Sequence, residues 1–257
     1  MSTNFEVRLA ERVLHLTLNR PEKRNALALA MCRELAETLR HAEQDRAVGA
    51  VLVAANGNVF SAGMDLDEAL EGDPGEHARV HEELFTIGSR LAVPVVAAVS
   101  GAALGGGLGL VANAHVVVAA QEATFGLTEI RLGLWPFVVY RAVALAIGER
   151  RALELALTGR IFGAQDAAAW GLAHHVVPSL ELGERAGEIA AGLAASSRDA
   201  IRCGMAFVNA ARGLESSATG ELARRARKAV FEGADFREGV RAFREKRKAV
   251  WPSLGVS

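Results

Sequence analysis

The chain has 257 residues, of which 51% are hydrophobic and 23% charged, with a formal net charge of −1. That size and balance suit one large globular domain, or a domain with an arm, and exclude wholesale disorder. Near-neutrality, 5% aromatics and a single tyrosine exclude field-steered binding to nucleic acid or membrane and a base-stacking surface.

The N-terminal Met1–Arg8 carries no apolar h-region, so no signal peptide is expected. Phe5–Leu9 and Val13–Leu18 are short apolar-rich runs around an Ala-Glu-Arg turn and predict a hairpin. The polar, proline-bearing segment from Asn19 to Asn25 predicts a loop. Met31, Leu35 and Leu39 then recur at helical spacing and predict a helix over Leu29–His41. Val48–Ala55 predicts a buried strand, followed by a turn-rich loop. Pro74–Leu91 is of mixed polarity and predicts a helix.

Val93–Ala120 has no formal charge and is long enough to be mistaken for a membrane span. Pro94, Gly101, Gly105, Gly106, Gly107, Gly109, Asn113 and His115 break it into strand-sized and helix-sized pieces. The expectation is two buried strands, Val95–Val99 and Val116–Ala120, with Leu108–Asn113 helical between them, in a soluble protein. Beyond Phe137 the chain predicts helices over Val138–Ile147, Arg151–Leu157, Ala164–Trp170, Glu181–Ala195, Asp199–Ala211 and Glu215–Glu245.

Strands alternating with helices predict an α/β core with a largely parallel sheet, followed by a helical arm. The change lies after Val177-Pro178, with the core taken as 1–195 and the helical C-terminal region as 196–257. Cys32 and Cys203 cannot build a disulfide framework, which fits a reducing, cytoplasmic location.

The run from Ser100 to Gly109 is the sharpest local feature. Glycines at a strand-to-helix turn let a ligand approach the backbone, where a helix start offers unpaired N–H groups. No Lys-Ser/Thr follows, which excludes a P-loop, and Glu122 is poorly placed for a dinucleotide ribose. Two readings stay open: an oxyanion hole, with N–H groups stabilising charge on a carbonyl oxygen, and close helix packing alone. The loop Asn58–Leu66 is a site for a second N–H donor.

Other candidates carry less. His77 and His81 share a helix face beside Glu82, yet no Asp or Cys completes a metal pattern, and an exposed helix is the commoner fate. His174 and His175 precede a strand-like Val-Val-Pro and read as structural. Neither Ser61 nor Ser100 sits in a Gly-x-Ser-x-Gly elbow. The basic C-terminal stretch, Arg224 to Lys248, reads as a solvated helix face.

Several segments together carry a family resemblance: Asn19–Leu27, Phe60–Leu66, Pro94–Gly107, Ala123–Leu134, Leu157–Leu172 and Ala242–Trp251. They resemble, in order and across essentially the whole chain, the crotonase (enoyl-CoA hydratase/isomerase) superfamily. The resemblance implies a ββα spiral core rather than a doubly wound sheet, with a helical C-terminal trimerisation region. It further implies an acyl-coenzyme A thioester substrate, no cofactor beyond the coenzyme A that the substrate carries, and a homo-trimer or dimer of trimers.

Matched position by position, the oxyanion hole would be the backbone N–H groups of Met64 and Gly106, and the acid/base Glu129. Contacts to substrate are implied at Lys23, Arg24, Ala26 and Leu27 on the nucleotide side. Further contacts are implied at Ala62, Asp65, Leu66, Gly105, Gly109, Leu134 and Trp135, and at Phe243 and Lys246 from the C-terminal region. Leu127, Ile130, Leu132, Leu134 and Trp135 are the apolar residues expected to lift the pKa of Glu129.

Hydratases of the family carry a first glutamate where this chain has Gly109. A lone Glu129 suffices for a proton shuttle that moves the double bond of an enoyl-CoA. A hydratase remains open if Asp67, Glu68, Glu82 or Glu83 supplies a relocated second carboxylate. So do other enolate chemistries and a catalytically weak acyl-CoA binding member. A second departure is Trp135-Pro-Phe-Val-Val-Tyr, bulky where the family has glycines, with Tyr140 a packed aromatic or a hydrogen-bond donor.

Overall fold

The computed structural model describes residues 4–255. Met1–Thr3, where the segment read as lacking a leader begins, lie outside the described residues, as do 256 and 257.

The predicted hairpin forms as β1 (Phe5–Ala10) and β2 (Val13–Leu18), paired antiparallel. After α1 (Leu29–Gln44) the chain repeats one device. A strand enters a large sheet, turns, and a three-residue strand enters a small sheet. The pairs are β3 (Ala50–Ala55) with β4 (Val59–Ser61), β5 (Val95–Val99) with β6 (Ala102–Leu104), and β7 (Val116–Ala120) with β8 (Thr124–Gly126). Between the first two lie α2 (Leu66–Glu71) and α3 (Pro74–Ile87). Between the next two lies α4 (Gly106–Ala112).

After α5 (Phe137–Ile147) and α6 (Glu149–Thr158), β9 (Ile161–Gly163) closes the small sheet. Past α7 (Ala164–Ala169), β10 (His175–Val177) closes the large one. The large sheet runs β1-β2-β3-β5-β7-β10, parallel from β2 onward. The small one runs β4-β6-β8-β9, with only β9 antiparallel.

The parallel strands read as unbroken apolar runs because both faces of the sheet are buried. Val51, Val95, Ala97, Val99, Val117 and Ala119 face the main core, toward α1 and the small sheet. Their neighbours Ala50, Leu52, Val96, Ala98 and Val118 face α8 (Leu182–Ala194), which lays Leu182, Ala186, Ala190 and Ala194 on the outer side. The four-residue spacing of those small side chains puts them on one helix face.

Sequence reasoning missed the small sheet altogether, since three-residue strands inside glycine-rich turns show no measurable alternation. It also predicted one helix over Glu215–Glu245. The structure breaks it at Gly233, whose extended backbone (φ −72°, ψ 156°) separates α10 (Ser216–Glu232) from α11 (Ala234–Arg244). With α9 (Arg198–Ala211) these form the C-terminal helical layer, and neither α9 nor α10 buries a residue in the single chain. Among the described residues, no helix is long and apolar enough to cross a membrane.

Candidate active site

A cavity of about 390 Å³ opens where β4 and β6 end, walled by α2, α3, the start of α4 and the entry to α5. That volume suits a small-molecule site. Leu27, Ala62, Met64, Leu66, Gly105, Gly106, Glu129, Leu134 and Trp135 all line it, so the structure gathers most of the expected site residues in one place.

The Met64 strap is held by a buried polar scaffold. Asn25, fully buried in a left-handed conformation (φ 50°), donates from Nδ2 to the carbonyls of Asn56 (2.9 Å) and Val59 (2.7 Å), and its Oδ1 accepts from Arg20 N at 2.8 Å. Ser61 Oγ donates to the Asn25 carbonyl (2.8 Å) and accepts from Gly63 N (3.2 Å). Arg20 spans the strap, donating to the Ala26 carbonyl (2.8 Å) and to Asp65 Oδ2 (3.1 Å). Leu27 N then reaches Gly63 O at 2.7 Å and Asp65 N reaches Leu27 O at 3.2 Å. Those bonds bypass Met64, whose N–H finds no backbone acceptor among the described residues.

Gly106 is the first residue of α4, so its N–H has no partner within the helix. The two loops meet closely. A Cβ placed on Gly63 (φ 92°) would stand 2.8 Å from the Leu104 carbonyl and 3.2 Å from Gly106 N. Only glycine satisfies both the left-handed backbone and that approach. Two free N–H groups from separate loops thus face one cavity, which is the geometry an oxyanion requires.

Glu129 follows β8 at the start of a short 3₁₀ turn, Glu129–Leu132. Its carboxylate lies against Gly105, where a Cβ would be only 3.2 Å from Oε1. Its Oε2 is buried with no hydrogen-bond partner. Burial pushes the pKa of Glu129 above the ordinary glutamate value, partly opposed by a hydrogen bond to its own backbone. Of the apolar residues expected around it, Leu132, Leu134 and Trp135 line the cavity. Leu127 lies in the core behind, and Ile130 packs over Gly159.

Among the described residues, Glu129 is the sole carboxylate lining this cavity. The proposed replacements are engaged elsewhere. Asp67 pairs with Lys23 at 3.1 Å in solvent, Glu68 accepts from Leu29 N (2.7 Å) at the start of α1, Glu83 pairs with Arg40, and Glu82 is exposed. Gly109 does not line the cavity. A Cβ there would overlap Val139 Cγ1 and sit 3.0 Å from Phe85 Cδ1.

Other expected contacts lie apart. Lys23 and Arg24 are exposed beside the strap, Ala26 serves it through its carbonyl, and Asp65 is committed to Arg20. Phe243, 85% exposed, and Lys246 sit at the end of α11, away from this cavity in the single chain. Tyr140 packs on Trp135, with ring centroids 6.3 Å apart. His174 accepts from Val117 N at 3.0 Å through Nδ1, a structural role.

Sequence reasoning missed Arg20 and Asn25 as the scaffold of the strap. The signal available was an Asn in a polar loop, a residue that tolerates left-handed backbone. It also placed His77 and His81 on an exposed helix, whereas both line the cavity and His81 is only 8% exposed. No group of three His, Cys, Asp or Glu that could hold a metal occurs among the described residues.

Fold and site together define an α/β enzyme class in which paired backbone N–H groups face one buried carboxylate across an apolar cavity. The enoyl-CoA hydratase/isomerase family model matches residues 8–253, and the chain belongs to that family. It is 36% identical over 250 residues to mevalonyl-coenzyme A hydratase of Aspergillus fumigatus, covering 93% of this chain and 91% of that one. It is 32% identical to human mitochondrial enoyl-CoA hydratase domain-containing protein 3, over 95% and 82% of the two chains. The crystal structure of the human protein superposes with a TM-score of 0.92 at 30% identity, covering 96% of this chain and all of that one. That of an enoyl-CoA hydratase from Bacillus anthracis gives 0.92 at 31%, over 97% and 99%. The chain thus adopts the fold implied by the resemblance, a crotonase-like α/β core with a helical C-terminal region.

Proposed function

We propose that the protein is an acyl-CoA enzyme that shifts the double bond of a 3-enoyl-CoA into conjugation, using Glu129 as its one acid/base. The observation that carries this reading is the carboxylate of Glu129, whose buried Oε2 has no hydrogen-bond partner, lining one cavity with the free N–H groups of Met64 and Gly106. Glu129 removes a proton from C2. The electron pair delocalises through C1 and C2 onto the thioester oxygen, which the two N–H groups hold as a dienolate. The same carboxylic acid returns the proton to C4, leaving the double bond between C2 and C3. Atoms and charge balance without a cofactor, because coenzyme A is part of the substrate.

Burial serves both halves of the shuttle. An apolar wall raises the basicity of the carboxylate and leaves its acid neutral and ready to donate. A single oxyanion donor of this kind is worth about 2.7–4 kcal/mol of barrier. On this reading Lys23, Arg24 and the Ala26–Leu27 strap contact the nucleotide end of coenzyme A. Phe243 and Lys246 would reach it from a neighbouring subunit of a trimer or dimer of trimers. Exposed Phe231, Phe236 and Phe243 on the C-terminal helices favour such an assembly. A reducing cytoplasm suits the free cysteines.

A hydratase is the second reading, favoured by the hydratase names of the relatives. Purified protein supplied with 3-hexenoyl-CoA, and separately with 2-hexenoyl-CoA, decides between them. Conversion of the first at unchanged mass, with negligible water addition to the second, is expected. Rapid gain of the mass of water by the 2-enoyl substrate overturns the isomerase reading.

A further inference from the structure

The cavity wall contributed by α3 is made by Pro74, His77, Ala78, His81 and Phe85, spaced by three, one, three and four residues along one helix face. Four of these five positions surround His81. Its imidazole stacks edge-on with His77 at 5.9 Å and tilts against Phe85 at 5.8 Å. Phe85 in turn reaches the oxyanion region, since a Cβ on Gly106 would lie 3.0 Å from its Cζ. His81 therefore sits one ring beyond Gly106 in the cavity wall.

More than nine-tenths of His81 is buried, yet no described residue hydrogen-bonds its side chain. Elsewhere the half-buried His115 is tied to the backbone, its Nδ1 accepting from Val95 N at 2.9 Å. An imidazole that lines the cavity with no protein hydrogen bond is open to one from the cavity's occupant. Along α3 in the same wall, only the adjoining His77 can also hydrogen-bond through its side chain, whereas Pro74, Ala78 and Phe85 cannot.

Resting on the acyl-thioester reading above, we propose that His81 is a specificity-determining residue that hydrogen-bonds a hydroxyl carried on the acyl chain of the substrate. The preferred thioester is then a hydroxylated acyl-CoA rather than a plain alkyl one. A hydroxyl fits better than a carboxylate. Burial, with His77 alongside, holds the His81 pKa below the ordinary histidine value, so the ring is a neutral donor and acceptor. A site built around a substrate hydroxyl rejects the analogue lacking it because its own polar group is left unpaired.

The test is calorimetric binding of saturated thioesters, which requires no turnover: hexanoyl-CoA, 5-hydroxyhexanoyl-CoA and 6-hydroxyhexanoyl-CoA. Wild-type protein is expected to bind one hydroxylated chain about fivefold to tenfold tighter than hexanoyl-CoA. His81→Phe, which keeps the ring and removes the hydrogen bond, should bring that ratio to about one. His81→Leu repeats the arm should the phenylalanine variant fail to fold. Equal binding of all three thioesters by wild type overturns the proposal, as does a preference that survives in either variant. Failure to bind any coenzyme A thioester would instead sink the acyl-CoA reading on which it rests.

Discussion

Val139 occupies the space that a side chain at position 109 would need. Its Cγ1 overlaps the position of a Cβ built on Gly109, and its Cβ is 3.1 Å from that position. Val139 is 2% exposed and Gly109 is buried. The missing first glutamate is therefore not an empty place awaiting a water. It is packed core.

Gly109→Ala and Gly109→Glu are expected to destabilise the protein, the alanine by about 1–3 kcal/mol from overpacking. Combining Gly109→Glu with Val139→Ala should recover part of that loss, because the two residues share one volume. Denaturant unfolding of the four proteins measures the coupling. An additive result would show that Val139 is not the obstacle.

Glu129→Gln should lower turnover about 10²–10⁴-fold, the usual contribution of a positioned acid/base. Binding of hexanoyl-CoA should persist. Near-normal turnover in this variant would remove Glu129 from the chemistry.

Burial raises the pKa of Glu129 in the folded protein. The acid limb of kcat/KM should therefore fall above the ordinary glutamate value of about 4.3. The sign for stability follows. A folded pKa above the unfolded one favours folding fully below about pH 4.3, and that contribution is lost as pH rises through the folded value. Glu129→Gln should then melt higher than wild type at pH 7, with the difference shrinking toward pH 4. A variant that melts lower at pH 7 would contradict the burial argument.

The Arg20–Asp65 pair at 3.1 Å is largely buried, with side chains 16% and 8% exposed, and ties Met64's neighbour to the strap. Removing one partner by Asp65→Ala leaves a guanidinium without its anion, a change that typically costs about 3–5 kcal/mol. Turnover should fall with it, since the Met64 N–H is positioned through these bonds. Unchanged stability and kinetics would show the strap to be held by Asn25 alone.

Gly63→Ala is expected to lose turnover without a matching loss of thioester binding. The added Cβ meets the Leu104 carbonyl and Gly106 N in a backbone conformation alanine avoids. Comparing kcat with the hexanoyl-CoA dissociation constant tests this, and an equal loss in both would point to general unfolding.

Much of this site is legible in the chain itself. The apolar runs around Val51, Val96 and Val118 announce buried parallel strands, and the glycines from Gly101 to Gly109 announce backbone brought close to something. Both are local signals, carried by side-chain period and by φ angles that few residues adopt. Glu129 becomes legible only beside the motifs around it, because an isolated Thr-Glu-Ile says nothing about burial.

Packing partners are set by residues distant along the chain, and there the sequence is silent. Nothing near Gly109 says that Val139, thirty positions on, fills its missing side chain. Nor does anything near Asp67, Glu68 or Glu83 say that Lys23, Leu29 N and Arg40 already hold them. His77 and His81 share a helix face in any reading, but only the seating of α3 against α1, α4 and α5 turns that face toward the cavity. The sequence alone determined the strands of the large sheet and the two glycine-rich loops, and its resemblance to a family singled out Glu129. Only the tertiary structure decided that, among the described residues, Glu129 is the one carboxylate lining the cavity and that Val139 fills the space beside Gly109, since filling a void is a contest among all the side chains that can reach it.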